Sequence, residues 1–517
     1  MWQRLTLTDV RIIIHYLGSL ILGSCIIMMP SLIVAIIFNE WSPALRYLTA
    51  IGIALILGSI MSLAYIKPEK LNRQQAIGVT ALAWIVLSLL AAIPLFYSGH
   101  YLNYLDAVFD SVSAFTTTGA TLVVDLNHLS YADNMMRFMM CLTGGLGIIV
   151  VALSLGIFGK GTSAALFTGE GRSEHVIPNI VLATRFILRM TLIVIAATTL
   201  ILTCIIASSG IEFSRAILHG FWIAITSFVT AGVTPMSDSL MYYNNLSLEV
   251  VCMIIMIVGA ISFTLFYFLF KGKTLTFFKD LEVKTAVIWM AVMTFVFTSS
   301  ATNSQYFNSL PALVHRGTFT LISAFTTTGL SVVTQNQLSV VFTSGAFVAI
   351  ALIMAVGASA GSTAGGIKLE RLGIICKSIL LSIKQAISPN TAKISMHYYH
   401  GTVKVLDPVV VKNAMTIFIL FVMTYIAGML AGIACGYDAK LSLFESIALT
   451  SNTGITCGIA VAGMPISLEI GYIILMWAGR LEFLALLSFF AQIIVSLKPR
   501  RRSLKKESKI KQIGDVK

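Results

Sequence analysis

The chain has 517 residues, 57% of them hydrophobic and 11% charged, with a mean hydropathy of +0.90. Soluble domains carry about 25% charged residues. That contrast excludes a soluble protein and, despite a net charge of +13, leaves no soluble domain large enough to bind nucleic acid.

Runs of roughly 20 apolar residues span a hydrocarbon core, and the chain contains one such run after another, so an all-α, multi-pass membrane protein is predicted. In chain order, two spans are read at residues 12–38 and 43–66, with a turn at Pro43 between them. The first is too long, and too closely followed by the second, to be a cleavable signal. Lys67, Lys70 and Arg73 bring the chain back to its starting side. Four units then follow, each a span, a short polar re-entrant stretch and a returning span. Their spans are read at 76–97 and 135–158, 185–208 and 248–270, 283–301 and from about 340, and 413–435 and 469–495. The predicted divisions are 1–75, 76–165, 166–275, 276–385, 386–497 and a basic tail, 498–517.

On this reading only Arg46, Arg215, Arg316 and Lys440 occupy loops on one side, while Arg137 and Arg480 fall in or near membrane segments. The remaining Lys and Arg lie on the other side, which the positive-inside rule makes cytoplasmic, with both termini there. The tail beginning K-P-R-R-R at Lys498 reads as a topology signal or a contact with anionic lipid. The seven cysteines form no C-x-x-C pair and read as free thiols.

The polar stretches are copies of one another. They read S-A-F-T-T-T-G-A-T at Ser113–Thr121, T-S-F-V-T-A-G-V-T at Thr226–Thr234, S-A-F-T-T-T-G-L-S at Ser323–Ser331 and A-L-T-S-N-T-G-I-T at Ala448–Thr456. Aligned on Gly119, Gly232, Gly329 and Gly454, each has a hydroxyl two residues later (Thr121, Thr234, Ser331, Thr456). Each has an aromatic ten residues earlier (Phe109, Trp222, Phe319, Phe444). Gly145, Gly259, Gly357 and Gly479 follow at 25 to 28 residues, a spacing that supports the fourfold repeat. Small residues there allow close helix packing.

A polar loop at membrane depth must be buried in protein or line a watery path. The apolar run before each glycine suits a short helix that dips in and ends near the threonines. Four helix C-termini, each worth roughly −0.5 charge, would together favour a cation. Glycine permits the positive φ that turns carbonyls to one side, and rings of carbonyls replace a monovalent ion's water shell. No carboxylate lies within the stretches, against a calcium-type site. Asp110 and Glu445 lie nine residues before their glycines and read either as cation attractors or as acids serving a helix dipole.

Gly357–Gly366 holds only Gly, Ala, Ser and Thr. Glycine weakens a helix by roughly 1 kcal/mol each, so a broken return helix is expected, with a small-residue packing seam as the alternative. Arg480 in the fourth return span is costly there and therefore functional in expectation; Glu482 is the other partner considered for it. Gly156–Thr162 lacks the phosphate-loop spacing. His397 and His400 read as a solvated turn rather than a metal site, and no nucleophile–base pattern points to an enzyme.

The four stretches, together with G-A-S-A-G-S-T-A-G-G-I-K at Gly357–Lys368 and W-A-G-R-L-E at Trp477–Glu482, resemble the Trk/Ktr/HKT superfamily of potassium transporters over nearly the whole chain. The two extra N-terminal spans resemble its Trk-type membrane subunit. That resemblance implies four units around one pore in a bacterial or archaeal plasma membrane. It implies a potassium filter built from Thr117, Thr118, Gly119, Thr230, Ala231, Gly232, Thr327, Thr328, Gly329, Asn452, Thr453 and Gly454, with potassium as the metal ion bound there. It further implies a gate of Gly357, Ala358, Ser359, Ala360, Gly361, Ser362, Thr363, Ala364, Gly365, Gly366 and Arg480, separate from the filter. A homodimer is implied, docking a cytosolic nucleotide-binding regulator on 160–184, 271–284, 368–412 and the tail. No tightly bound cofactor is implied; the nucleotide belongs to the regulator. Coupling to protons or sodium stays open. The competing reading is an alternating-access carrier of an organic solute, which favours inverted repeats, whereas these four units share one orientation.

Overall fold

The computed structural model describes residues 4–64, 71–154, 180–272, 274–301, 313–335, 337–338, 342–389, 394–481 and 483–497. The stretch Gly156–Thr162, Glu482, the tail 498–517 and the junction of the first two units lie outside the described residues. Six of the described helices are long and apolar enough to cross a membrane.

Leu7–Ile37 and Trp41–Ser62 form an N-terminal pair. Glycine makes their close crossing possible, since a Cβ on Gly18 would lie 2.7 Å from the Ser62 backbone nitrogen. The pair is tied to the first unit by polar contacts that hydropathy does not register. Arg46 grips Asp133 with two bonds of 3.0 and 3.2 Å, Tyr47 donates to the same carboxylate, and the Glu40 carboxylate accepts from the Tyr131 and Ala132 amides. Arg46 thus lies within the second helix rather than in a loop.

The four units have one plan. Their first spans are Arg73–Phe96, Ile180–Ser208, Leu281–Ala301 and Pro408–Ala434. Their short helices are Tyr104–Phe115, Phe213–Phe228, Thr318–Phe325 and Ala439–Thr450. Local chemistry starts two of these: Asn103 forms a capping box with Asp106, and Asp438 accepts from the Lys440 and Leu441 amides. The aromatics ten residues before the glycines are all buried, and two of them pack across units. Trp222 of unit two stacks on Phe138 of unit one at 5.5 Å, and Phe444 of unit four lies 4.3 Å from Phe347 of unit three.

Only the third return span was expected to break, but all four are interrupted. The first changes at Gly147 (φ +94) from Tyr131–Leu146 to Ile148–Ser154. The second bends by 99° after Leu246–Ala260, and the fourth by 112° after Ile466–Arg480. The third passes from Ser344–Ala355 through a loop into Leu369–Ile387. The histidine pair is no solvated turn either. His397–His400 and Thr402–Val405 form an antiparallel hairpin, with His400 buried.

Candidate ion pathway

Each short helix ends four residues before its glycine, at Phe115, Phe228, Phe325 or Thr450. The same cap closes all four. The amide one residue before the glycine donates back to the carbonyl five residues earlier: Thr118 to Ser113, Ala231 to Thr226, Thr328 to Ser323 and Thr453 to Ala448, at 2.8–2.9 Å. The residue between adopts the left-handed conformation: Thr117 (φ +57), Thr230 (+50), Thr327 (+51) and Asn452 (+54). This is a Schellman cap with threonine or asparagine where glycine is usual. Left-handed geometry costs an L-residue roughly 1–2 kcal/mol.

The threonine triplet therefore divides its labour. Its outer two hydroxyls bond each other, Thr116 to Thr118 at 2.8 Å and Thr326 to Thr328 at 2.7 Å, as do Ser451 and Thr453 at 2.8 Å. In the second stretch both partners are apolar, Val229 and Ala231. Replacing both ends of a hydrogen bond together is nearly neutral, so this departure from T-T-T-G is a compensated one.

The glycines close a ring. A Cβ on Gly119 would lie 2.4 Å from the Ala231 carbonyl oxygen, on Gly232 2.3 Å from that of Thr328, on Gly329 1.9 Å from that of Thr453, and on Gly454 1.8 Å from that of Thr118. Each stretch packs its missing side chain against the carbonyl before the next glycine, in the order one, two, three, four, one. All twelve residues assigned to the filter are brought together in this ring. A cavity of about 600 Å³ opens from the four glycines, lined also by Thr121, Thr234, Ser331, Thr456, Asp238 and Gln335. Three of the hydroxyls serve turns beside it, as where Ser331 donates to the Val333 carbonyl, whereas that of Thr456 accepts from Gln335 of the third unit.

Two of the middle, left-handed residues bond the broken third return span. Thr327 accepts from the Gly365 amide at 2.8 Å, and Thr230 pairs with Thr363 at 3.1 Å. Thr117 accepts from Arg480 at 3.2 Å, while Asn452 donates to Thr118 and to the Met476 carbonyl at 3.0 Å. Thr363 also donates to the Gly259 carbonyl, and a Cβ on Gly365 would lie 2.1 Å from the Ser451 oxygen. Arg480 spans the remaining side, donating to the carbonyls of Thr363, Gly144 and Gly145 at 2.6–3.2 Å, over the face of Trp84. The loop and Arg480 together touch all four units directly under the glycine ring. The two assigned groups are thus joined by hydrogen bonds, not structurally separate as expected.

Two other expectations are refined. Asp110 and Glu445 are buried and occupied: Asp110 holds Arg137 and Tyr101, and Glu445 accepts from the Cys457 and Ala460 amides. They brace the short helices and their exits rather than facing the cavity. Gly145 is not the equivalent of Gly259 and Gly479; Gly144 is. A Cβ on Gly144, Gly259 or Gly479 would sit 1.7–1.9 Å from the C-terminal carbonyl of its own short helix, at Phe115, Phe228 or Thr450. Gly357 faces the Gly365 oxygen of its own loop instead. Sequence reasoning placed Arg137 in or near a membrane segment but gave it no partner; it is buried between Asp110 and the Thr234 carbonyl just beyond the second glycine. A lone arginine and a lone aspartate in apolar segments were its signal.

The family model described as TrkH, cation transport protein, matches residues 47–498. The chain belongs to the TrkH family of cation transport proteins. An uncharacterized cation transporter of Methanocaldococcus jannaschii is 31% identical over 95% of this chain and 97% of its own. The Trk system potassium uptake protein TrkH of Halomonas elongata is 27% identical, covering 93% and 98%. The Escherichia coli Trk system potassium uptake protein TrkG is 26% identical, covering 94% and 98%. The crystal structure of the potassium transporter TrkH from Vibrio parahaemolyticus superposes with a TM-score of 0.78 at 22% identity, over 95% of this chain and 98% of that one. This TrkH-family chain accordingly has the all-α membrane fold of four span–pore loop–span units preceded by two additional helices.

Proposed function

We propose that this chain takes up potassium across a bacterial or archaeal inner membrane through a single channel-like pore. The ring of four glycines against four carbonyls carries the reading. It brings four backbone oxygens together beside a cavity, where four helix C-termini contribute about −2 of charge. The Trk potassium uptake proteins among its relatives support potassium as the ion. Thr117–Gly119, Thr230–Gly232, Thr327–Gly329 and Asn452–Gly454 form the filter. Gly357–Gly366 and Arg480 form the gate, closed in this arrangement. The 498–517 tail and the face carrying the 397–405 hairpin are cytoplasmic, the chain is a homodimer, and a cytosolic nucleotide-binding regulator acts on 160–184, 271–284, 368–412 and the tail. The six divisions at 75, 165, 275, 385 and 497 describe its units.

The test is flux in proteoliposomes under imposed potassium, sodium and proton gradients. Rubidium and potassium should move down their gradients without any organic solute. Solute-dependent flux, or rates limited to carrier-like turnover, would sink the proposal in favour of alternating access.

A further inference from the structure

We propose that Asp280, Glu282 and His400 form a divalent-metal site of the zinc class that ties the 397–405 hairpin to the intramembrane loop. Asp280 and Glu282 sit two positions apart at the start of the third unit, His400 lies 120 residues beyond Asp280, and all three are buried. One ligand atom from each lies within 4.8 Å of the others. The His400 Nδ1 stands 3.4 Å from each oxygen of Asp280. A direct charge-assisted hydrogen bond is about 2.7–2.9 Å. Two ligands bound about 2.0–2.1 Å from one tetrahedral ion are about 3.3 Å apart. The observed separation therefore matches shared coordination better than a plain ion pair.

The carboxylates are already aimed. The Asp280 oxygens accept from the Glu282 amide at 2.9 Å and the Gly401 amide at 3.2 Å, and Glu282 accepts from the Ala360 amide at 2.7 Å. Such backbone donors orient metal-binding carboxylates from behind, and a carboxylate keeps further lone pairs for an ion. One imidazole with two carboxylates suits zinc or manganese, whereas magnesium prefers an octahedral shell of oxygens. Water would complete the coordination. Because Ala360 belongs to the loop, an ion here would hold the hairpin, the start of the third unit and the loop in one arrangement. Metal binding stands by itself, but its effect on flux rests on the gate proposed above.

The test uses the full-length protein, zinc and cobalt(II). Wild type and His397→Gln should retain one zinc per chain after desalting and show tetrahedral cobalt absorption. Asp280→Asn and His400→Gln should bind at least about tenfold more weakly. His400→Cys should keep cobalt and add a thiolate charge-transfer band, which a merely structural histidine would not give. No stoichiometric zinc in wild type, or unchanged zinc in His400→Gln, would overturn the site. In proteoliposomes, zinc should lower rubidium flux in wild type but not in His400→Gln. Zinc that binds without lowering flux, in protein whose flux still rises when the loop is shortened, would overturn the tie to the loop. If loop shortening also does nothing, the gate reading is what fails.

Discussion

A methyl group at Gly454 tests the glycine ring directly. In Gly454→Ala the new Cβ would sit 1.8 Å from the Thr118 carbonyl oxygen and 2.7 Å from its carbon, against ordinary contact at 3.4 Å and beyond. The obstructing atoms are backbone, so no side chain can swing aside. The first stretch must move by about 1.6 Å, or the fourth must retreat as far. At Gly119 the same change demands only about 1.0 Å, because the Ala231 oxygen lies at 2.4 Å. Positive φ adds roughly 1–2 kcal/mol, and overpacking typically another 1–3 kcal/mol. A carbonyl ring displaced on this scale no longer fits one ion, and each 1.4 kcal/mol lost from potassium alone is about tenfold in preference. Rubidium uptake with sodium competition, measured in proteoliposomes of monodisperse protein, should show at least a tenfold fall in preference. Gly454→Ala should be worse than Gly119→Ala, and Gly119→Ser should follow the latter. An unchanged ratio in both alanine variants would refute the ring as a selectivity element.

Other substitutions probe the joints around that ring. Thr327→Val removes the acceptor of the Gly365 amide, a loss worth about 1–3 kcal/mol when the donor stays buried; basal rubidium flux should rise, and an unaltered rate would argue against the bond as a latch. Arg480→Ala, or a shortened 357–366 loop, should raise basal flux and weaken control by the cytosolic partner; because Thr327 and Thr230 bond the loop and Thr117 bonds Arg480, some selectivity should be lost as well, and the rubidium-to-sodium ratio checks this. Asp110→Asn strips the buried Arg137 of its counter-charge, and breaking such a pair costs about 3–5 kcal/mol; thermal unfolding in detergent should shift markedly downward. Val229→Thr alone should destabilise the second stretch, and adding Ala231→Thr should recover about 0.5–1.5 kcal/mol through the hydroxyl pair present in the other three; simple additivity in a double-mutant cycle would count against it.

What could be read from the sequence was whatever repeats or whatever the bilayer enforces. Span length, helix-only architecture, the four units and the register of Gly119, Gly232, Gly329 and Gly454 follow from hydropathy and spacing, because apolar length and backbone satisfaction leave few alternatives in lipid. The composition of Gly357–Gly366 pointed to a loop for another reason, the poor helix propensity of glycine. The tertiary structure alone decided which neighbours those residues meet. Nothing in T-T-T-G says that its middle threonine is left-handed and meets the loop, as Thr327 does, or Arg480, as Thr117 does; only Asn452, a residue tolerant of that geometry, hinted at it. The breaks in the second and fourth return spans are hidden inside apolar runs, since hydropathy averages over a bend. Gly144 and Gly145 are indistinguishable by spacing, and only the approach of the Phe115 carbonyl separates them. Asp280, Glu282 and His400 are brought together by long-range packing, and Arg480 bridges the first and third units from the fourth. Sequence periodicity records local conformation and burial, whereas these pairings depend on how separate units close around one axis.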